Sequence, residues 1–207
     1  MLQSLENIRN YKIHAKNGDI GHLKDFYFDD KTWQISYAAA DYGNWVLGHR
    51  QVLIAPSHFK HVDWTEGKVD VDLTQEEVEA CPGIKTHTPI SQQHFVGKIF
   101  NPVSPEFEDR EMEAEANMAP NPEDEYLCSV KDTEGLHIEA TDGEIGHVLD
   151  FMVNEDTWEI VWMVVSTHNW WPGKQVMIPP ERIKKVSWVE RKIYLNMTRQ
   201  EVKDSHP

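Results

Sequence analysis

Asn17-Gly18-Asp19-Ile20-Gly21-His22-Leu23-Lys24-Asp25-Phe26 returns later in the chain as Asp142-Gly143-Glu144-Ile145-Gly146-His147-Val148-Leu149-Asp150-Phe151. The recurrence continues downstream. Thr32-Trp33-Gln34-Ile35 matches Thr157-Trp158-Glu159-Ile160, and Val52-Leu53-Ile54-Ala55-Pro56 matches Val176-Met177-Ile178-Pro179-Pro180. Thr74-Gln75-Glu76-Glu77-Val78 matches Thr198-Arg199-Gln200-Glu201-Val202. The offset is 125 residues and falls to 124 near Gln51, because the first copy carries one extra residue. Roughly 25 identities over about 70 aligned positions exceed chance by far, so the chain is a tandem duplication. The first repeat is read as 1–82 and the second as 134–207, with a linker over 83–133 between them. A unit of this size has a poor ratio of core to surface. Packing of the two copies against each other, as a pseudo-twofold pair within one chain or as a homodimer, is therefore expected.

Each repeat reads as short strands punctuated by turns, which predicts an all-β fold. Asn17-Gly18 and Asp142-Gly143 predict tight hairpins. Gly21 and Gly146, inside strand patterns, predict a bulge or sharp bend. Trp158-Glu159-Ile160-Val161-Trp162-Met163-Val164-Val165 is nearly all apolar and predicts a strand buried on both faces. Thr74 with Glu77, and Thr198 with Glu201, have capping-box spacing and predict a short C-terminal helix in each copy. Pro82 stops the first of these helices. Strands at this spacing predict a small closed or nearly closed barrel per repeat. The linker holds Pro89, Pro102, Pro105, Pro120 and Pro122 and is strongly acidic, so it is read as irregular.

These elements together resemble the PRC-barrel domain family. The resemblance rests on Gly18-Asp19-Ile20-Gly21-His22-Leu23-Lys24-Asp25-Phe26-Tyr27-Phe28-Asp29, on Val52-Leu53-Ile54-Ala55-Pro56, and on Leu73-Thr74-Gln75-Glu76-Glu77-Val78 with Pro82. The second copy carries the same three elements, so about two thirds of the chain is covered. The family is named for the cytoplasmic part of the photosynthetic reaction centre H subunit, and a similar barrel occurs in a ribosome maturation factor. The resemblance implies two tandem barrels acting as a binding or scaffold module, associated with an electron-transport or photosynthetic-type assembly. It implies no particular reaction.

The bulk chemistry narrows the field. A formal charge of −15 over 207 residues argues against nucleic-acid binding and against docking on anionic lipid. Cys81 and Cys128 do not occupy matching repeat positions and neither lies in a CxxC, so neither a disulfide framework nor a zinc motif is expected. Met1-Leu2-Gln3-Ser4-Leu5-Glu6 lacks the basic-then-apolar pattern of a signal peptide, and no apolar run is long enough for a membrane span. The expected compartment is the cytoplasm.

Of eleven histidines, only His22 and His147 occupy matching positions. His22 and Asp25, like His147 and Asp150, stand three apart on a strand and point to opposite faces unless a bulge intervenes. No HExxH, nucleophile elbow or phosphate loop is present. No catalytic, metal or cofactor-binding residues are therefore assigned. Trp33, Trp64, Trp158 and Trp188 read as packing residues. The segments Asn44-Trp45 and His168-Asn169-Trp170-Trp171 read as loops carrying amphipathic aromatics, hence as a candidate protein-contact surface. The leading expectation is a non-enzymatic scaffold with a protein partner. The alternatives are a small-molecule or metal-binding protein using the inter-barrel cleft, and an accessory factor in RNA processing or ribosome assembly.

Overall fold

The long central strand of each repeat decides how the two repeats meet. In the computed structural model, which describes residues 1–42, 50–83, 127–167 and 174–204, that strand is β3 (Gly18–Asp29) in the first half and β10 (Gly143–Asn154) in the second. Each runs for 12 residues, and its hairpin partner for only 4. In the first half β2 (Lys12–Ala15) pairs β3 only as far as His22. β4 (Ile35–Tyr42) covers the other side of β3, followed by β5 (Arg50–Ile54), β6 (Phe59–Asp63) and β7 (Lys68–Val71). The strand order is β5-β4-β3-β2-β7-β6, with β2 and β7 parallel and the other pairs antiparallel. The second half repeats this with β9 (His137–Ala140), β11 (Ile160–Ser166), β12 (Gln175–Ile178), β13 (Ile183–Ser187) and β14 (Lys192–Leu195), in the order β12-β11-β10-β9-β14-β13.

The stretch of β3 beyond the reach of β2 is completed by the other half. β8 (Leu127–Ser129) pairs with it antiparallel, setting Tyr27 against Ser129, Phe28 against Cys128 and Asp29 against Leu127. Reciprocally, β1 (Leu2–Ser4) pairs with β10, setting Ser4 against Met152, Gln3 against Val153 and Leu2 against Asn154. The two halves thus exchange strands inside one chain. Residues 127–133 fall in the stretch read as linker, yet they form β8 and the one-turn helix α3 (Val130–Thr133). They are the counterparts of β1 and α1 (Leu5–Ile8) at the same 125-residue offset, with Leu127 matching Leu2 and Ser129 matching Ser4.

The fold is all-β with short helices at its ends. The expected closure into barrels is not observed. Each sheet is open among the described residues, with β5 and β6, or β12 and β13, as edges. A single 3-10 turn, Pro56–His58, carries β5 into β6, and no ladder joins those two strands. The apolar faces are sealed by the opposite half instead, so Phe26, Phe28, Phe151, Ile160 and Trp158 belong to one continuous core. β11 departs from its prediction of burial on both faces. Ile160, Met163 and Val165 are buried, while Val161, Trp162 and Val164 keep partial exposure.

The local punctuation works largely as read. The hairpin loop residues are Lys16 and Asn17, with Gly18 just beyond them at φ +151. Asn17 is needed elsewhere: its Oδ1 accepts from the Gln75 amide at 2.8 Å and so ties the hairpin to helix α2 (Gln75–Glu79). Asp142 does the same for Arg199 at the start of helix α4 (Arg199–Asp204), also at 2.8 Å. Both capping boxes form, with Thr74 N–H donating to Glu77 Oε2 and Thr198 N–H to Glu201 Oε2, each at 2.7 Å. The bulge at Gly21 is present as a register shift between Ile13 opposite Gly21 and His14 opposite Asp19.

The glycine at that bulge is forced by a close approach of backbone. A Cβ on Gly146 would stand 1.7 Å from the Ser166 carbonyl oxygen, and one on Gly21 would stand 2.1 Å from that of Asp41. Gly146→Ala should therefore cost about 3 kcal/mol in urea unfolding, since backbone must move to admit the methyl. Gly135→Ala meets nothing within 4 Å and should cost only about 1 kcal/mol, from its left-handed φ of +77.

Candidate functional site

The predicted contact residues Asn44, Trp45, His168, Asn169, Trp170 and Trp171 lie outside the described residues. What flanks them is clear. Residues 43–49 connect β4 to β5, whose ladder ends with Tyr42 opposite Arg50. Residues 168–173 connect β11 to β12, and the base of that connection is held by Thr167, whose N–H and Oγ1 both donate to the Lys174 carbonyl. The two segments occupy equivalent places in the two halves.

The best-defined cluster of chemistry in the described residues is the seam between the halves. Asp25 and Asp150, which the repeat holds at matching positions, are both buried there. Asp25 Oδ2 accepts from the Ser129 hydroxyl at 2.5 Å, and Oδ1 accepts from the Lys131 and Phe26 amides at 3.1 and 2.8 Å. Asp150 accepts from the Ser4 hydroxyl at 2.6 Å and from the Glu6 and Phe151 amides at 3.0 and 2.7 Å. Each carboxylate therefore caps the one-turn helix that the other half inserts. Ser4 and Ser129 do double duty, because each hydroxyl oxygen also accepts an amide of its own helix, Asn7 or Asp132. A bulge between Leu23 and Asp25 brings His22 and Asp25 to the same side of β3. Even so, the oxygens of Asp25 are taken by donors from β8, α3 and its own strand, and His22 is exposed.

Aromatic rings fill the seam, two of their contacts as matched pairs. Phe26 meets Trp158 with centroids 6.0 Å apart, and its repeat counterpart Phe151 meets Trp33 at 6.3 Å. Phe28 stands 5.6 Å from Phe151 near the centre. Trp33 and Trp158 have φ of +57 and +58, a conformation that costs a bulky residue roughly 1 kcal/mol. In that conformation each carbonyl serves the opposite half: Ile160 N–H donates to Trp33 at 2.8 Å and Ile35 N–H donates to Trp158 at 3.0 Å. Gln34 and Glu159, also repeat counterparts, form an antiparallel bridge between them. Trp64 is half-buried against Tyr11, while Trp188 is exposed.

Beside the seam lies a groove of about 630 Å³, lined by Gln34, Ser36, Ser57, Phe59, Asp156 and Trp158 among others. Phe59 packs edge-on to Trp158 along its wall. The described histidines do not converge on it. His14 bonds Asp19, His58 bonds Asp72 and His137 bonds Glu144, each as a separate surface pair. No group of three or more potential metal ligands occurs among the described residues. No helix among them is long and apolar enough to cross a membrane.

Burial pushes the Asp25 carboxyl up, against the pull of the Ser129 hydroxyl and the two amides. The same burial, with Asp25 and Asp132 nearby, pushes the Tyr27 phenol up to about 12. No protein-family model matches the chain, and neither does any curated protein.

The exchange caps escaped the sequence reading because the repeat was aligned only from the first hairpin onward. Ser4 and Ser129, identical at the common offset, were the available signal. Asp25→Ala would strand a hydroxyl and two amides and should cost about 3 kcal/mol in chemical denaturation. Asp25→Asn keeps an acceptor and should cost less. A carboxyl raised in the fold binds its proton more tightly there than in the unfolded chain. Stability measured against Asp25→Asn should therefore fall as pH rises from 3.8 through the raised value, and be flat above it.

Proposed function

We propose that the protein is a non-enzymatic binding and scaffold module of the PRC-barrel type, whose fused halves present paired loops to a protein partner. One observation carries this reading: apart from the matched His22 and His147, the duplicated polar side chains named below are consumed by construction. Asp25 and Asp150 cap the exchanged helices. Asn17 and Asp142 tie hairpins to helices. Asp29 and Asn154 accept the amides of their own turns. Thr74 with Glu77, and Thr198 with Glu201, close the capping boxes. A duplicated active site would instead leave matched titratable groups facing a cavity. The duplicated Asn44, Trp45, Asn169 and Trp170, joined in the second copy by His168 and Trp171, lie in connections between strands and are the aromatic-bearing pairs assigned to the partner. Tryptophan at a contact patch supplies large area and a polar edge. The resemblance points to a partner in an electron-transport or photosynthetic-type assembly in the cytoplasm, and the acidity of the chain favours a partner with a basic face. The double variant Trp45→Ala/Trp170→Ala should weaken capture of the cognate partner about tenfold or more with an unchanged melting temperature. Undiminished capture by the folded variant counts against the loops.

A second reading has its own support in the groove at the seam. Its aromatic wall and its Gln34, Ser36 and Asp156 polar groups suit a small polar molecule with a ring. Such a ligand at 100 times its Kd would stabilise the fold by about 2.7 kcal/mol, and Ser57→Trp, which fills the groove, should abolish that shift. A panel of metabolites that leaves the melting temperature unmoved removes this reading.

A further inference from the structure

The exchange places repeat-equivalent residues face to face wherever the pseudo-twofold axis passes. Two such pairs lie on it among the described residues, and neither is a pair of like residues. Arg9 and Glu134 are 125 positions apart and are bonded to each other, Nη1 donating to Oε2 at 3.1 Å and Nη2 to Oε1. The fork is bidentate and largely shielded, with side-chain exposures of 14% and 24%. Gln34 and Glu159 are likewise 125 apart and bridge the seam, where Gln34 Nε2 also donates to the Thr157 carbonyl at 2.7 Å.

A symmetric pairing of identical halves would put like against like at both places. Two second halves would set Glu134 against Glu134 and Glu159 against Glu159. Two first halves would set Arg9 against Arg9. At the shielded Arg9–Glu134 place like charges destabilise strongly, whereas a bidentate Arg–carboxylate pair offsets much of its desolvation; Glu159 is exposed, so like charge there adds a smaller cost. The surroundings sharpen the contrast. Burial pushes Glu134 up, Glu6 and Asp150 add to that push, and Arg9 is what opposes it. The Ser–Asp caps and the two Phe–Trp contacts carry no such preference, because they are the same in both directions.

We propose that Arg9–Glu134, assisted by Gln34–Glu159, is a specificity lock: the exchange face of a first half recognises a second half, in its own chain or in another copy, and rejects its own kind. The chain is then a tethered heterodimer whose halves are not interchangeable. The common seam supplies affinity, and the two axis pairs supply choice of partner.

Full-length chains test this. Arg9→Glu sets glutamate against Glu134, and Glu134→Arg sets arginine against Arg9. Each single variant should melt lower, Arg9→Glu by about 8 °C or more because it adds a carboxylate to Glu134, Glu6 and Asp150. The double variant R9E/E134R should regain most of the loss as a monomer. The partner choice is read by refolding the two single variants together. Cross-chain exchange gives each altered half a complementary partner, so native mass spectrometry should show a mixed dimer of one R9E and one E134R chain. Neither variant alone should form its own dimer to the same extent. Single variants as stable as the parent, a double variant no better than the sum of the singles, or a co-refolded sample without mixed dimer would each overturn the proposal. If R9E fails to fold alone, its recovery by E134R in the same chain and by the E134R partner still decides the matter.

Discussion

A strand edge left bare by a short hairpin is the constraint from which the rest of the structure follows. β3 and β10 are long, and β2 and β9 are too short to pair their far ends. Backbone N–H and C=O groups beside a buried core cannot stay unpaired without a cost of several kcal/mol. Each half could complete its own edge only by folding its N-terminal strand back along it. The chain instead sends that strand into the other half, twice and reciprocally. Once it does so, the one-turn helix behind the strand also lands on the opposite half, and a carboxylate must be waiting there to cap it. Asp25 and Asp150 are that carboxylate, held below the surface by the helices they cap.

The exchange turns two small units into one core. Neither sheet closes on itself, so each would leave an apolar face open to water. Phe26, Phe28 and Trp33 from one side, with Phe151 and Trp158 from the other, fill the space between the sheets. A buried aromatic side chain contributes about 2 to 3 kcal/mol, comparable to what a unit of this size has in total from a small core. Stability and association are therefore the same event here. The left-handed Trp33 and Trp158 fit this picture: local strain is accepted where it delivers a backbone hydrogen bond across the seam.

Much of the local structure was legible in the sequence because it depends on short-range chemistry. Capping boxes need only a threonine and a glutamate three apart, and both formed. A glycine inside a strand pattern announced a bulge, and the carbonyl packed against it explains why no side chain fits. Other readings failed where distant residues decide. The apolar run of β11 suggested full cover on both faces, but Val161, Trp162 and Val164 keep partial exposure. Barrel closure was inferred from strand count, whereas closure depends on whether β5 and β6 meet, which the Pro56–His58 turn does not bring about. Asp25 read only as a strand residue three positions from a histidine, and its donors Ser129 and Lys131 lie more than a hundred residues away.

The sequence by itself determined that there are two copies and that each is built of strands with a capped terminal helix. Periodicity, turn chemistry and repetition carry that much because they act within a few residues. Only the tertiary structure decided which copy completes which. A strand of three residues has no periodicity to read, and its pairing energy exists only when the opposite edge is present. The meaning of Arg9 and Glu134 was hidden for the same reason. As sequence they are a mismatch between repeats, and the pseudo-twofold axis makes them partners.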